Sequence, residues 1–197
     1  MSARDIIQTL NAPEAARRYA DVPSPCFVVQ EACLRRNCEI LAGVRARTGC
    51  TILLALKAFA MWRTFPLLRR YLDGACASGV YEARLAHEEF GGEVHVFSPA
   101  YTPQDIAALT PIADCVVFNS CSQALRFGRT VQTGSRTIAC GLRVNPEHSE
   151  APVAMYSPCG PGSRLGVVRA QLDPAALDGI SGLHLHALCE QNADALV

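Results

Sequence analysis

Residues 51–62 read TILLALKAFAMW. The first six form an apolar run that begins with β-branched residues just after Gly49, a pattern typical of a buried strand in a parallel sheet. Lys57 follows, and apolar residues then resume. An ammonium group rarely lies in such surroundings without a partner or a task. Two interpretations stay open here: a strand-end lysine whose amine reaches water, or a desolvated, nucleophilic amine that forms a Schiff base with a carbonyl group.

Strand-like apolar runs recur on both sides of this stretch. They lie at residues 26–29, 51–56, 74–77, 94–97, 115–118, 137–144 and 180–186. Helix-like stretches separate them, at residues 31–44, 59–72, 80–90, 103–109 and 122–130. This alternation predicts βαβ units and a parallel sheet. The count of seven candidate strands is higher than the strand number of most doubly wound sheets. No glycine-rich dinucleotide fingerprint follows the first candidate strand. We therefore predict an α/β fold, a (β/α)8 barrel of the TIM type that stops before its eighth strand.

The residues before the first candidate strand form a separate segment. Apolar residues have loosely helical spacing over residues 1–20, and Pro23 and Pro25 then interrupt the pattern. We predict a helical lead-in over residues 1–22 and a truncated barrel domain over residues 23–197. Because barrels of this type run to about 250 residues, we expect the chain to be the front part of a longer protein.

Composition limits the classes of function. The 197 residues carry 18 basic and 18 acidic side chains and no basic run, which argues against a nucleic-acid partner. The 10 cysteines are scattered without a Cys-x-x-Cys spacing, which predicts reduced thiols. The N-terminus lacks the features of a signal peptide, and no apolar run approaches the roughly 18 residues that a membrane span needs. We predict a soluble, cytoplasmic protein that does not bind a membrane.

Polar residues follow the predicted strands. In parallel α/β folds the carboxyl ends of the strands carry the functional groups. Lys57 ends the second candidate strand, and the later strands supply Ser78, Ser98, Asn119, Ser120, Arg143, Asn145, His184, His186 and Cys189. We expect these side chains to converge on one rim.

Residues 182–194, GLHLHALCEQNAD, form a second unusual stretch. His184 and His186 are two apart on a predicted strand and share one face. Three hypotheses stay open: hydrogen-bonded histidines in a polar interior, a metal site that needs further ligands from elsewhere, or an imidazole stacked on a flat cofactor ring. Residues 159–166, CGPGSRLG, lack the Walker lysine and serine, so a plain turn is a better interpretation than a phosphate-binding loop.

Several segments together resemble one enzyme family. They read SPCFVV (24–29), LALKAF (54–59), CASGVYEARLA (76–86), EVHVFSPAYT (93–102), GLRVNPEHSE (141–150), SRLGV (163–167) and GLHLHALCEQNADAL (182–196). In this order they resemble the carboxynorspermidine/carboxyspermidine decarboxylases, alanine racemase-like (fold type III) enzymes that use pyridoxal 5′-phosphate. The last segment is the most specific, because ornithine and diaminopimelate decarboxylases differ after the corresponding histidine.

The resemblance implies roles for individual residues. Lys57 is similar to the lysine that forms the Schiff base with the cofactor, and His186 to the imidazole that lies against its pyridine ring. Arg143 resembles a member of the polar network near that ring. Cys189 occupies a position at which relatives contact the cofactor phosphate.

The resemblance also implies the reaction and its partners. The substrate would be a small-molecule polyamine precursor, decarboxylated to norspermidine or spermidine in polyamine biosynthesis, with His184 and Glu190 as candidate substrate contacts and no metal. The full-length enzyme is expected to be a homodimer. The C-terminal β-barrel domain of the family is absent from this sequence, so we expect little or no activity from the chain alone.

Three alternatives remain at this level. One is another enzyme of the same fold type, such as diaminopimelate decarboxylase, against which the HLHALCE segment argues. The second is a metal-dependent barrel hydrolase that uses His184 and His186. The third is a truncated relative that binds the cofactor, or pairs with a full-length subunit, without catalysis.

Overall fold

The structure is a computed structural model that describes residues 17, 19–134, 136–189 and 194. The chain divides into two compact units, Met1–Arg36 and Asn37–Val197. In the first unit, a turn follows Tyr19, and the Gln30 side-chain amide donates a hydrogen bond to the Tyr19 hydroxyl at 3.0 Å. Most of the predicted lead-in over residues 1–22 lies outside the described residues, so that boundary stays a prediction.

The predicted first strand, residues 26–29, is wrong. These residues have no regular secondary structure, and Phe27 is 97% exposed. An apolar run becomes a strand only when a neighbouring strand pairs with its backbone groups. The next element is helix α1 (Glu31–Thr48).

The second unit contains a parallel sheet of six strands. They are β1 (Leu53–Ala55), β2 (Gly74–Ala77), β3 (Glu93–Phe97), β4 (Cys115–Phe118), β5 (Ala139–Val144) and β6 (Gly182–Leu185). Each strand pairs with the next one along the chain. A doubly wound sheet reverses its strand order, whereas a (β/α) barrel does not. Six of the seven predicted strands are confirmed, in the order of a barrel that is incomplete in the described residues; closure into eight strands stays a prediction.

Helices and helical turns connect the strands. They are a 3₁₀ turn (Trp62–Thr64) with α2 (Phe65–Leu68), α3 (Val80–Leu85) with a π turn (Ala86–Phe90), α4 (Pro103–Leu109), α5 (Cys121–Gln132), and three 3₁₀ turns (Ala154–Tyr156, Arg169–Gln171, Pro174–Leu177). Local sequence sets two of the starts. The Thr102 side chain accepts a hydrogen bond from the Asp105 amide and caps α4, and Ser120 caps α5 in the same way.

The two faces of the sheet have different surroundings. The face towards the helices carries fully buried apolar side chains, which form the core: Val94, Val96, Val116, Phe118 and Leu142. Residues paired across parallel strands point to the same side, so their neighbours in sequence occupy the opposite, inner face. Because β6 is the last strand of the described sheet, its outward-facing Leu183 and Leu185 are exposed.

Aspartates fasten the amino-terminal end of the sheet. Asp73, just before β2, accepts a hydrogen bond from the Ile52 amide at 2.8 Å and one from the Arg45 guanidinium at 2.9 Å. Asp114, just before β4, accepts from the Val94 amide at 2.9 Å. Each carboxylate therefore ties its own strand to the preceding one. Among the described helices, none is long and apolar enough to cross a membrane.

Candidate active site

The inner face of the sheet borders a cavity of about 700 Å³. Its lining near the carboxyl ends of the strands includes Lys57, Ser78, Arg143, His184 and His186, and its floor includes Cys76, His95, Phe97 and Cys115. The prediction that polar side chains from several strand ends converge is therefore confirmed for the five residues near the carboxyl ends. A cavity of this size is in the range of small-molecule sites.

Lys57 reaches the cavity from the turn that follows β1. The amides of Ala58 and Phe59 both donate to the Ala55 carbonyl at 3.0 Å, which closes the turn, while Leu56 is buried. The Lys57 side chain lines the cavity but is exposed. Of the two interpretations left open, an amine that reaches water fits the described residues, in which Lys57 is exposed and follows β1, an edge strand of the described sheet.

Four side chains form a contiguous cluster on the inner face. The Arg143 guanidinium carbon lies 4.7 Å from the centre of the Phe97 ring. The His184 ring packs edge-on against Phe97, with 5.0 Å between ring centres, and lies 6.2 Å from the His186 ring. Arg143 also donates a long hydrogen bond, 3.5 Å, to the His186 carbonyl oxygen. We call Phe97, Arg143, His184 and His186 the inner-face cluster.

The inner-face cluster keeps its imidazoles neutral at pH 7. Burial, the charge of Arg143 and the neighbouring His186 together lower the pKa of His184 to about 4. Burial lowers the pKa of His186, and the charges of Arg143 and Lys57 lower it further. Burial also lowers the pKa of Arg143 itself, but a guanidinium remains charged in any protein. The positive charge of this cluster at pH 7 is therefore carried by Arg143, close to two uncharged rings.

One ring nitrogen of the cluster lacks a partner. His184 Nδ1 is buried and makes no hydrogen bond. Buried polar atoms are nearly always paired, and an unpaired one in a native protein needs an explanation. At a ligand-binding cavity, a group supplied by the ligand or by bound water is the simplest one.

The remaining predicted site residues lie in different surroundings. Cys189 is partly buried and is not part of the cavity lining, and Glu190 lies outside the described residues. Asn119 and Asn145 are buried and bind backbone groups. Across the described ranges, no group of three or more His, Cys, Asp or Glu side chains could hold a metal ion. The described residues therefore supply no ligand set for the metal-dependent alternative.

A long loop after β5 supports the end of β6. The Ser149 hydroxyl donates to the Ala187 carbonyl at 2.8 Å, and the Cys159 thiol to the His186 carbonyl at 3.5 Å. Farther along, the predicted plain turn is present around Gly162, where φ is +78°. It does more than connect elements, because Leu165 lines the cavity.

Sequence reasoning missed Phe97 and Leu165 as parts of the site. Phe97 carried a detectable signal: in residues 93–97, His95 and Phe97 alternate with Val94 and Val96, so one face of the strand differs from the other. Leu165 carried none, since nothing in a turn sequence indicates which distant strand the loop will cover.

The order of the strands, with a cavity at their carboxyl ends, is that of a (β/α) barrel, and the solved structures that match it include fold type III decarboxylases. Diaminopimelate decarboxylase from M. jannaschi matches 90% of the chain with a TM-score of 0.65, at 16% identity, which shows the fold alone. A closer match is the crystal structure of carboxynorspermidine decarboxylase from Campylobacter jejuni in complex with norspermidine. It has a TM-score of 0.79 and 37% identity over 89% of this chain and 44% of that one.

Curated relatives agree with this match. Carboxyaminopropylagmatine decarboxylase from Synechocystis sp. is 44% identical over 91% of the chain, and carboxynorspermidine/carboxyspermidine decarboxylase from Campylobacter jejuni is 40% identical over 90%. The chain spans about half the length of these relatives, 46% of each. No family model matches it. The predicted resemblance is thus confirmed: the homologues of this chain are decarboxylases of carboxylated polyamines, matched over nearly all of its length.

Proposed function

We propose that this chain is the cofactor-binding part of a pyridoxal phosphate-dependent decarboxylase that removes CO2 from a carboxylated polyamine in polyamine biosynthesis. The observation that carries the proposal is the convergence of Lys57, Arg143, His184 and His186 on one cavity. This convergence occurs in a chain whose relatives decarboxylate carboxynorspermidine, carboxyspermidine or carboxyaminopropylagmatine. Because the chain covers only about half of these relatives, the activity is proposed for the whole protein.

The donor set fits a phosphorylated aromatic aldehyde. Lys57 provides an amine that can bond covalently to an aldehyde, and it is the only lysine among the 197 residues. His186 provides a flat, uncharged ring that can lie against an aromatic one. Arg143 provides a fixed positive charge for anionic groups. Among the described residues the lining contains no Asp or Glu, so this part of the cavity suits anions.

Each of these residues contributes by binding or orienting. Lys57 Nζ would hold the cofactor aldehyde, and His186 would restrict the tilt of its ring. Arg143, at 3% exposure, would attract a carboxylate or phosphate without a competing carboxylate from the described lining. When bound, pyridoxal phosphate supplies an electron-poor ring that accepts the electrons left behind as a carboxylate departs as CO2.

The substrate amines need other contacts. Polyamines are cationic at pH 7, and cationic groups are bound by carboxylates or aromatic faces. Since the described lining has no carboxylate, we place recognition of the amines outside it, with Glu190 as a candidate within this chain. The full-length protein is expected to act as a homodimer.

Trapping of the cofactor tests the first half of the proposal. The chain is incubated with pyridoxal phosphate, reduced with borohydride and digested, and the pyridoxyl group is located by mass spectrometry. We expect it on Lys57. The N-terminal amine is the only other primary amine, so an N-acetylated sample removes that route, and Lys57→Arg is the matched negative control. A pyridoxyl group found only on Met1 would contradict the proposal.

Substrate preference tests the second half. CO2 release by the full-length protein is measured with carboxynorspermidine, carboxyspermidine, carboxyaminopropylagmatine and diaminopimelate under identical conditions. We expect one of the three carboxylated polyamines to have the highest kcat/KM. If diaminopimelate were turned over fastest, the proposed substrate class would be wrong while the cofactor assignment would stand.

A further inference from the structure

Asn119 makes two hydrogen bonds to the backbone of one distant loop. It follows β4 directly and is 9% exposed. Its side-chain amide donates to the Arg164 carbonyl at 2.8 Å and accepts from the Gly166 amide at 2.8 Å. Both the amide nitrogen and the amide oxygen are hydrogen-bonded, to residues that are 45 and 47 positions away in the sequence. This single side chain therefore fastens residues 164–166 to the carboxyl end of β4.

The fastened loop lies directly against Arg143. Gly166 has φ of +85°, and a Cβ atom there would lie 3.0 Å from Arg143 Cγ and 2.9 Å from the Val144 carbonyl carbon. The next residue, Val167, donates to the Arg143 carbonyl at 2.9 Å and accepts from the Asn145 amide at 2.9 Å. The loop thus covers the stem of the Arg143 side chain and clamps its backbone. A side chain at position 166 would therefore press against the Arg143 stem.

The stem determines where the guanidinium goes. Once Cγ is held on one side, the group extends over the Phe97 ring and towards the His186 carbonyl. Leu165, between the two residues that Asn119 binds, lines the same cavity. A displacement of this loop would therefore move a wall of the cavity and its fixed positive charge together.

The geometry points to Asn119 as a positioning residue for the active site, which acts through Gly166 to hold the Arg143 guanidinium in the inner-face cluster. The inference deepens the proposed function and rests on it for its catalytic meaning. The side-chain hydrogen bonds of Asn119 go to the backbone of residues 164 and 166 and not to the inner-face cluster. Its role is to hold the loop that packs against Arg143. It does so with a buried side-chain amide that makes two hydrogen bonds, and not with an ion pair.

The test measures the position of Arg143 without any cofactor. In the parent chain, NMR signals of the Arg143 side chain should show the ring-current shift that Phe97 causes, and the His184 imidazole should titrate with a pKa of about 4. In Asn119→Ala the loop is released, so we expect the ring-current shift to shrink and the His184 midpoint to rise towards 6.5. Gly166→Ala, which pushes on the same contact from the opposite side, should change both signals as well.

Asp114→Ala is the matched control. Asp114 also binds a backbone amide, that of Val94 at 2.9 Å, and it flanks the same strand, but at the opposite end from the cavity. We expect this variant to lose stability and to leave the Arg143 and His184 signals unchanged. Equal changes in Asp114→Ala and Asn119→Ala would mean that Asn119 is merely structural. Unchanged signals in both folded Asn119→Ala and Gly166→Ala would overturn the inference, and if Asn119→Ala fails to fold, Gly166→Ala and Asn119→Ser decide.

Cofactor binding separates this inference from the proposed function. We expect the Kd for pyridoxal phosphate, followed by absorbance, to rise about 10- to 100-fold in Asn119→Ala, the size of effect seen at metal sites when a partner that orients a binding group is removed. If the parent chain binds no pyridoxal phosphate, the proposed function fails and the NMR result still judges Asn119. If the parent binds it at Lys57 and Asn119→Ala binds it equally well, this inference fails and the proposed function stands.

Discussion

The guanidinium of Arg143 lies over the ring of Phe97, 4.7 Å from its centre, in a side chain that is only 3% exposed. Among the ion pairs of the described residues, none includes Arg143. The negative face of the ring therefore provides partial compensation for a buried charge, where a carboxylate would provide more. Such an arrangement disfavours folding and leaves the charge available to an anionic ligand.

The first prediction concerns the cost of that charge. Arg143→Met removes the buried charge and keeps most of the volume, so we expect no loss of stability and a gain of up to about 2 kcal/mol. Urea denaturation of the chain measures it. Pyridoxal phosphate affinity should fall in the same variant, because the positive charge at the cavity is lost. A variant that loses both stability and affinity would contradict the view that Arg143 is retained for binding.

The second prediction concerns the coupling between the cation and the ring. A double-mutant cycle of Arg143→Met with Phe97→Leu should give a coupling free energy of about 1–2 kcal/mol, because the contact is shielded from water. The matched control is Arg126 over Phe127, which has nearly the same separation, 4.8 Å, but an exposed arginine. We expect that pair to couple by less than about 0.5–1 kcal/mol. Equal couplings would show that burial does not strengthen the contact.

The third prediction concerns pH. His184 takes up a proton near pH 6.5 when unfolded but only near pH 4 when folded. Between these values the unfolded state binds more protons, so the free energy of unfolding falls as the pH is lowered from 6.5 to 4. The full shift corresponds to about 3 kcal/mol. Since the ring is partly exposed to water, we expect about 1–2 kcal/mol. His184→Gln should flatten this part of the profile.

The fourth prediction concerns a buried hydroxyl near the site. The Tyr101 hydroxyl accepts a hydrogen bond from the Ser98 amide at 2.9 Å and lies 3.2 Å from the Val96 and Val117 carbonyls. Tyr101→Phe leaves these backbone groups short of a partner, so we expect a loss of about 1–3 kcal/mol in thermal or urea unfolding. Tyr81→Phe is the control, because Tyr81 is 85% exposed and its change should be close to zero.

The fifth prediction concerns thiol reactivity. The 10 cysteines are free in the structure, and their surroundings differ. Burial raises the pKa of Cys115 and of Cys140 to about 11, whereas Cys26 and Cys50 are exposed. Because the thiolate is the reactive form, alkylation at pH 8 followed by peptide mass spectrometry should label Cys26 and Cys50 first. Fast labelling of Cys140 in the native chain would indicate that the sheet opens locally.

The alternating pattern of the sequence predicted six strands correctly and one strand wrongly. Residues 51–56 and 94–97 were identified correctly because each combines apolar, β-branched residues with a following helical stretch. Residues 26–29 have the same composition and form no strand. A strand also needs a paired neighbour, and composition does not report whether one is present.

For the site, the sequence predicted which side chains of one strand share a face. It did not predict which side chains of different strands contact each other. A separation of two positions was enough to put the rings of His184 and His186 on one face, and Lys57 and Arg143 were identified at strand ends. The ring of Phe97 under Arg143 and the two hydrogen bonds of Asn119 were not predicted, and the sequence left open whether Lys57 is exposed. Each depends on a contact or on solvent access that is set by residues far apart in sequence.

The sequence by itself determined the alternation of strands and helices, the barrel-like class of fold and the residue types at the strand ends, because these follow from local periodicity and from side-chain chemistry. Only the tertiary structure decided which of those side chains share a cavity and which imidazoles lose their charge. The reason is physical: burial and the field of a neighbouring guanidinium arise when strands distant in sequence pair, and that pairing brings His184, Arg143 and Phe97 together.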